Sequence, residues 1–253
     1  MSNKLNICIV IQARTGSKRL PNKVLKKFYG NKSILDLIVD ELIVKFSNYP
    51  IILATSDSKN DSILVDFAKE KKILYFQGDE SNVLLRFIDA IKKYSFTHIV
   101  RICSDNPFLN MESIQNLINS LDNIDLDYIS FVNSKNIPVI KTHIGLFAEI
   151  VSVKSLKIAN EQQNTNIYQE HVTNYIYGNP DIFKLKFLVS PDVVYNRDDI
   201  RLTLDDSTDF DNLVDLYSKT YKNYQDLSYL VHTIDTNESI KNKMITNIKK
   251  YTK

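Results

Sequence analysis

The cations that would do chemistry in this chain crowd into one short segment. Gln12-Ala-Arg-Thr-Gly-Ser-Lys-Arg-Leu-Pro-Asn-Lys23 sets Arg14, Lys18, Arg19 and Lys23 around Gly16 and Ser17, in a protein of net charge +2 with only five glycines. Glycine lets backbone N–H groups approach an anion closely, and neighbouring cations neutralise phosphate charge. A cation and a phosphate about 4 Å apart attract by roughly 4 kcal/mol at an effective dielectric near 20, before desolvation. Several such pairs would hold a triphosphate. The segment is neither G-x-x-x-x-G-K-[ST] nor G-x-G-x-x-G, so it is not one of the common glycine-rich phosphate loops. Two acidic segments complement it. Ser104-Asp-Asn-Pro107 offers Asp105, a carboxylate stiffened by a nearby proline, as a Mg²⁺ ligand or as part of an ordinary turn. Asp205-Asp-Ser-Thr-Asp209 is either a second metal-binding end or a helix N-terminus capped by Asp206 or Ser207.

All three segments follow apolar runs that read as strands. Residues 6–12, 50–55, 73–77 and 98–103 are β-rich, and 201–204 reads as a further strand. Helical patterns at 33–46, 60–71, 82–94 and 112–122 alternate with the early strands, with Ser33/Asp36, Asn60 and Ser81 or Asn82 as start signals. Alternation of this kind predicts parallel βαβ units in a doubly wound α/β sheet. Open parallel sheets bind ligands beyond the carboxyl ends of their strands, where the cationic and acidic segments fall. The middle, about 128–200, is less regular, with β-like pieces at 128–132, 137–141, 145–153 and 183–189 and a helical stretch near 168–178. It reads as a β-rich insertion or a dimerisation arm within a single domain spanning 1–253. Helices follow at about 207–220, 225–233 and 236–250.

Hydrophobic residues make up 43% and charged residues 25%, as in ordinary globular proteins, and the weak net charge requires neither a nucleic-acid nor a membrane partner. No secretory signal or run of about 18 apolar residues is visible, and Cys8 and Cys103 sit in strand-like runs as free thiols of a reducing compartment. A cytoplasmic location is therefore expected.

Residues 11–25 closely resemble the signature loop of SpsF-type cytidylyltransferases, relatives of the CMP-KDO and CMP-sialate synthetases of surface polysaccharide biosynthesis. Ala54-Thr-Ser-Asp57, Phe76-Gln-Gly-Asp-Glu80 with Val83-Leu-Leu-Arg86, Val100 to Pro107, Gly145 to Glu149, Glu170 to Thr173 and Arg201 to Asp205 are similar to later family segments, in order. The resemblance implies a nucleotide-diphospho-sugar transferase fold, Rossmann-like, and transfer of CMP from CTP to a sugar acid or sugar phosphate with release of pyrophosphate. It implies that Gln12, Ala13, Arg14, Gly16, Ser17, Arg19, Lys23 and Asp79 hold the nucleotide, with Arg14 and Lys23 nearest the outer phosphates. Asp105 and Asp205 would hold Mg²⁺, and Arg14, Lys23 and Asp105 would carry catalysis. Glu149, Glu170, His171 and Arg201 are the acceptor-side candidates, and a homodimer is expected. Asn22 stands where the family commonly has glycine, and asparagine tolerates the left-handed region. A glycosyltransferase consuming a nucleotide-sugar would prefer an Asp-x-Asp pair, which Asp105 lacks. An inactive assembly protein would have no need of both Asp105 and Asp205.

Overall fold

A computed structural model describes residues 5–122, 125–162 and 166–251. Its centre is a seven-stranded sheet in the order β5-β4-β1-β6-β8-β7-β9. These strands are β1 (Ile7–Gln12), β4 (Ile51–Ser56), β5 (Leu74–Gly78), β6 (His98–Cys103), β7 (Tyr128–Val132), β8 (Glu149–Ser152) and β9 (Leu185–Val189). A small hairpin, β2 (Lys27–Tyr29) and β3 (Lys32–Ser33), lies outside the sheet. Within the sheet β8 alone runs antiparallel to its neighbours, and the remaining pairings are parallel. This is the mostly parallel α/β sheet that the sequence leads one to expect. Residues 128–200 supply β7, β8 and β9 to that same sheet.

Strand β1 shows why the sheet is covered on both faces. Ile9 and Ile11 enter one apolar core and Cys8 and Val10 the other, as period-two alternation requires. The first core is closed by α1 (Ile34–Lys45), α2 (Ser62–Glu70), α4 (Met111–Asn119), α9 (Ser207–Thr220), α10 (Leu227–Asp235) and α11 (Glu238–Tyr251). The second is closed by α3 (Val83–Ile91), α5 (Val153–Gln162) and α7 (Asn174–Tyr177), with α6 (Asn166–Glu170) beside α3. A one-turn helix, α8 (Asp192–Tyr195), follows β9.

Start signals were read correctly at α1, where Ser33 and Asp36 form a reciprocal capping box, and at α3, capped by Asn82. Asn60 falls instead inside a 3₁₀ turn, Lys59–Asp61, and caps nothing. Three β readings also need correcting. Residues 137–141 hold a 3₁₀ turn, Val139–Lys141, after Pro138. Of 145–153 only Glu149–Ser152 pairs, because Gly145 takes φ +59° and lies so close to Leu202 that a Cβ would sit 2.6 Å from its carbonyl carbon. Residues 201–204 are extended but form no strand: the Leu202 N–H donates to the His143 carbonyl and the Leu204 N–H to the Asp105 carbonyl, both in loops.

Candidate active site

Gln12 and Cys103 are register partners at the ends of β1 and β6, so the cationic loop and the Asp105 loop leave the sheet side by side. Buried Asp61, at the start of α2, shapes the first of them. Its carboxylate accepts the Thr15 N–H at 2.7 Å, the Thr15 hydroxyl at 2.5 Å and the Ser56 hydroxyl, and this diverts it from capping its own helix. Burial pushes the Asp61 pKa upward, but these donors outweigh it and hold the carboxyl below its ordinary value. The Ser17 and Asn22 N–H groups then donate to the Thr15 carbonyl, and Asn22 closes the turn at φ +56°, the left-handed geometry anticipated for it.

The turn carries two cations to two aspartates. Lys23 Nζ donates to Asp105 Oδ2 at 2.9 Å and to the Leu204 carbonyl at 2.6 Å, and is only 13% exposed. Arg19 Nη2 donates to Asp205 Oδ1 at 2.6 Å. Together with the Leu204-to-Asp105 backbone bond, these contacts gather Arg19, Lys23, Asp105 and Asp205 at one crevice. Arg14 points elsewhere, with Nη2 3.9 Å from Glu170. The other predicted loop residues serve the turn itself. Ala13 is buried with its N–H on the Ala54 carbonyl, Ser17 Oγ accepts the Leu20 N–H, and Gly16 leaves room for Glu80, whose Oε1 would lie 3.3 Å from a Cβ there. Gln12 Oε1 accepts from Arg101 at 3.1 Å. Exposed Asp79 accepts the Ser81 and Asn82 N–H groups and so orders the turn before α3.

Beside Asp105 and Asp205 opens a cavity of about 400 Å³, lined also by Arg101, Cys103, His143, Phe147, His171 and Tyr177. His171 and Glu170 are exposed at or near its rim. The other two acceptor-side candidates are corrected by their burial. Glu149, 1% exposed, accepts from Arg101, the Tyr128 hydroxyl and the Thr173 hydroxyl, so its carboxylate is consumed within the fold. Arg201 has a fully buried side chain that chelates Asp209 through Nε and Nη2, both at 2.7 Å, and reaches Asp205 Oδ2 at 2.7 Å. It fixes Asp205 from within the fold and exposes no side-chain donor.

The same network treats the two adjacent aspartates differently. Asp206 caps α9 through the Asp209 N–H and also accepts from Asn247, Lys250 and Tyr251. Although burial raises its pKa, these donors depress it far below the carboxylate range. Asp206 is buried, and of the two only Asp205 lines the crevice.

Four residues escaped the sequence reading. Asp61 lies next to Asn60, the residue read as the helix start, and Arg101 is one charged residue in an otherwise apolar strand. His143 carries no motif. Arg201 Nη1 lies 2.6 Å from its Nδ1, and because guanidinium only donates, that nitrogen is the acceptor and the ring proton sits on Nε2. Burial, then Arg201, lowers the His143 pKa and keeps it neutral. Arg86 is wholly buried, with Nη1 on the Asp79 carbonyl at 2.9 Å while Nε and Nη2 have no partner among the described residues.

A mostly parallel α/β sheet whose first strand-end loop presents cations to two carboxylates across a crevice places a ligand site beyond the carboxyl ends of its strands. The cytidylyltransferase family profile matches residues 8–239. The chain is 37% identical over 242 residues to an uncharacterized protein of Methanocaldococcus jannaschii, MJ1063, covering 94% of each. It is 32% identical over 219 residues to the spore coat polysaccharide biosynthesis protein SpsF of Bacillus subtilis, covering 85% of this chain and 87% of that one. A solved cytidylyltransferase from Leptospira borgpetersenii superposes with a TM-score of 0.79 at 26% identity, over 94% of this chain and 97% of the other. The chain belongs to the cytidylyltransferase family.

Proposed function

We propose that this enzyme transfers CMP from CTP to a hydroxyl, carboxylate or phosphate oxygen of a sugar acid or sugar phosphate, releasing pyrophosphate, in the biosynthesis of a surface polysaccharide. The observation that carries the reading is Lys23 joining Asp105 to the Leu204 carbonyl while Arg19 meets Asp205, at the carboxyl ends of β1 and β6. An acceptor in the 400 Å³ cavity lies beside both carboxylates.

In this reading the acceptor oxygen forms a bond to the α-phosphorus as the bond to the β-phosphate oxygen breaks, and pyrophosphate leaves with the electron pair. The protein contributes position and charge. Lys23, largely enclosed between Asp105 and Leu204, neutralises charge on the departing phosphates. Arg19 and Arg14, both partly exposed, swing to the outer phosphates. His143, fixed as the Nε2–H tautomer at the cavity, donates a hydrogen bond to the acceptor, and His171 faces it from α6–α7. Asp105 and Asp205 suit a hard divalent cation: both are oxygen donors, 34% and 25% exposed, on one crevice. Among the described residues no three His, Cys, Asp or Glu side chains cluster as a metal site, so phosphate oxygens and water would complete the shell, the habit of Mg²⁺. Bound there, Mg²⁺ would supply charge neutralisation for the triphosphate.

Action in the cytoplasm belongs to the proposal, supported by the free thiols of Cys8 and Cys103 and by the lack, among described residues, of a helix long and apolar enough to cross a membrane. A homodimer belongs to it as well, and sedimentation in solution reads that directly. The activity is tested by incubating the protein with Mg²⁺, each nucleoside triphosphate in turn and a panel of sugar acids and sugar phosphates, and assaying pyrophosphate. Release with CTP and one acceptor class supports the reading; silence with every pair removes it.

A further inference from the structure

The last helix reaches the site from outside the family match. Residues 240–251 lie beyond position 239, where the cytidylyltransferase profile ends, yet the final turn of α11 touches most of what holds Asp205. Ile240 and Met244 anchor the helix in the first core, and the Asn212 side chain donates to the Ile240 carbonyl. One turn further on, buried Asn247 donates to Asp209 at 2.7 Å and to Asp206 at 3.2 Å. Lys250 and the Tyr251 hydroxyl both donate to Asp206 Oδ2, at 2.8 and 2.7 Å.

The ring of Tyr251 does something the hydroxyl does not. The guanidinium carbon of Arg19 lies over it at 4.8 Å from the centroid and that of Arg201 at 4.9 Å. These are the two guanidinium groups whose Nη2 atoms hold the two oxygens of Asp205. Arg201 is locked by Asp209 in any case, whereas Arg19 is half exposed on a loop and, among the described residues, is held by Asp205 and this ring. A flexible arginine on a surface turn loses rotamer entropy when it is fixed, and an aromatic face is a means of fixing it without consuming its N–H donors.

We propose that Tyr251 is a positioning residue of the nucleotidyl-transfer site: its ring presents Arg19, with donors available, to the outer phosphates of the nucleotide and aligns it with Asp205. The catalytic part of this inference rests on the function proposed above; the positional part does not. Three single variants of the full chain separate them: Tyr251→Ala, Tyr251→Phe, which keeps the ring and drops the Asp206 bond, and Lys250→Ala, which drops an Asp206 bond and keeps the ring. Two readouts are taken, the trypsin cleavage rate after Arg19, followed by mass spectrometry under native conditions, and kcat/KM for CTP in the pyrophosphate assay. A cation–π contact at an exposed site corresponds to a factor of roughly two to five. Tyr251→Ala is expected to raise cleavage after Arg19 and to lower kcat/KM for CTP by about that factor, while Tyr251→Phe and Lys250→Ala stay near wild type in both. Unchanged cleavage in Tyr251→Ala overturns the proposal, as does an equal change in all three variants, which would mean general loosening of α11. If wild type releases no pyrophosphate, the functional reading fails, and the cleavage rates still decide whether Tyr251 holds Arg19.

Discussion

Replacing Arg201 by methionine distinguishes a buried tether from an acceptor ligand. The Arg201 side chain is 0% exposed and Asp209 4%, so solvent screening offers little relief once the guanidinium is gone. The change leaves the Asp209 carboxylate with the Asn247 amide and the Asp205 N–H as its donors, and takes one partner from Asp205 and one from His143. Removing one member of a buried ion pair costs about 3–5 kcal/mol. In a chain of this size each kcal/mol moves Tm by about 2–4 °C, so thermal unfolding should shift downward by about 6–20 °C. Turnover should fall too, on the order of 100-fold if Asp205 moves by about 1 Å. Adding Asp209→Asn, which removes the orphaned charge, should recover part of the Tm. The measurements are calorimetric unfolding and steady-state pyrophosphate release. A variant with wild-type Tm and a raised KM for the acceptor alone would refute the reasoning and return Arg201 to the acceptor side.

Further expectations follow from single contacts. Asp105→Asn keeps the shape at a partly exposed position, so the unfolding free energy should change by less than about 1 kcal/mol while kcat drops by at least roughly 100-fold; near-normal turnover removes Asp105 from the reaction. Arg14→Ala breaks a 3.9 Å pair with Glu170 and should weaken CTP binding more than CMP binding, by titration calorimetry; equal losses would place Arg14 away from the outer phosphates. His98, 1% exposed with Nε2–H on the Leu126 carbonyl, has its pKa lowered by burial. A depressed histidine pKa means the unfolded chain binds the proton more readily, so its stabilisation is complete above the unfolded value of about 6.5 and declines as pH falls below it. His98→Gln should therefore flatten the fall in Tm between pH 7 and pH 5.5, and an unchanged slope would contradict the assignment.

The sheet was readable wherever burial was two-sided. The apolar runs of β1, β4 and β6 sit in it over nearly the expected residues, and α9 spans 207–220 as anticipated. Residues 201–204 misled because an extended segment with buried Leu202 and Leu204 has the alternation of a strand, while its backbone partners, His143 and Asp105, lie in loops that no local pattern announces. The site was half legible for a similar reason. Cations clustered within twelve residues are visible in a sequence, and so is an aspartate after a strand. That Glu149 and Arg201 spend their charges inside the fold is a matter of burial and long-range pairing, Arg101 with Glu149 and Tyr251 with Arg201, and spacing carries no trace of it. Asp61 was hidden by its local role, since an aspartate ahead of a helix reads as a cap until Thr15 claims it.

The reaction class itself is open to one labelling measurement. CTP carrying ³²P at the α-phosphate, or separately at the γ-phosphate, is incubated with the protein, Mg²⁺ and the acceptor that supports pyrophosphate release, and the products are separated. Label from the α position in the acceptor conjugate, with γ label wholly in pyrophosphate, is the predicted outcome. Recovery of γ label in the acceptor would mean that Lys23, Arg19 and the two aspartates serve phosphoryl transfer instead, and the account of the crevice would be wrong.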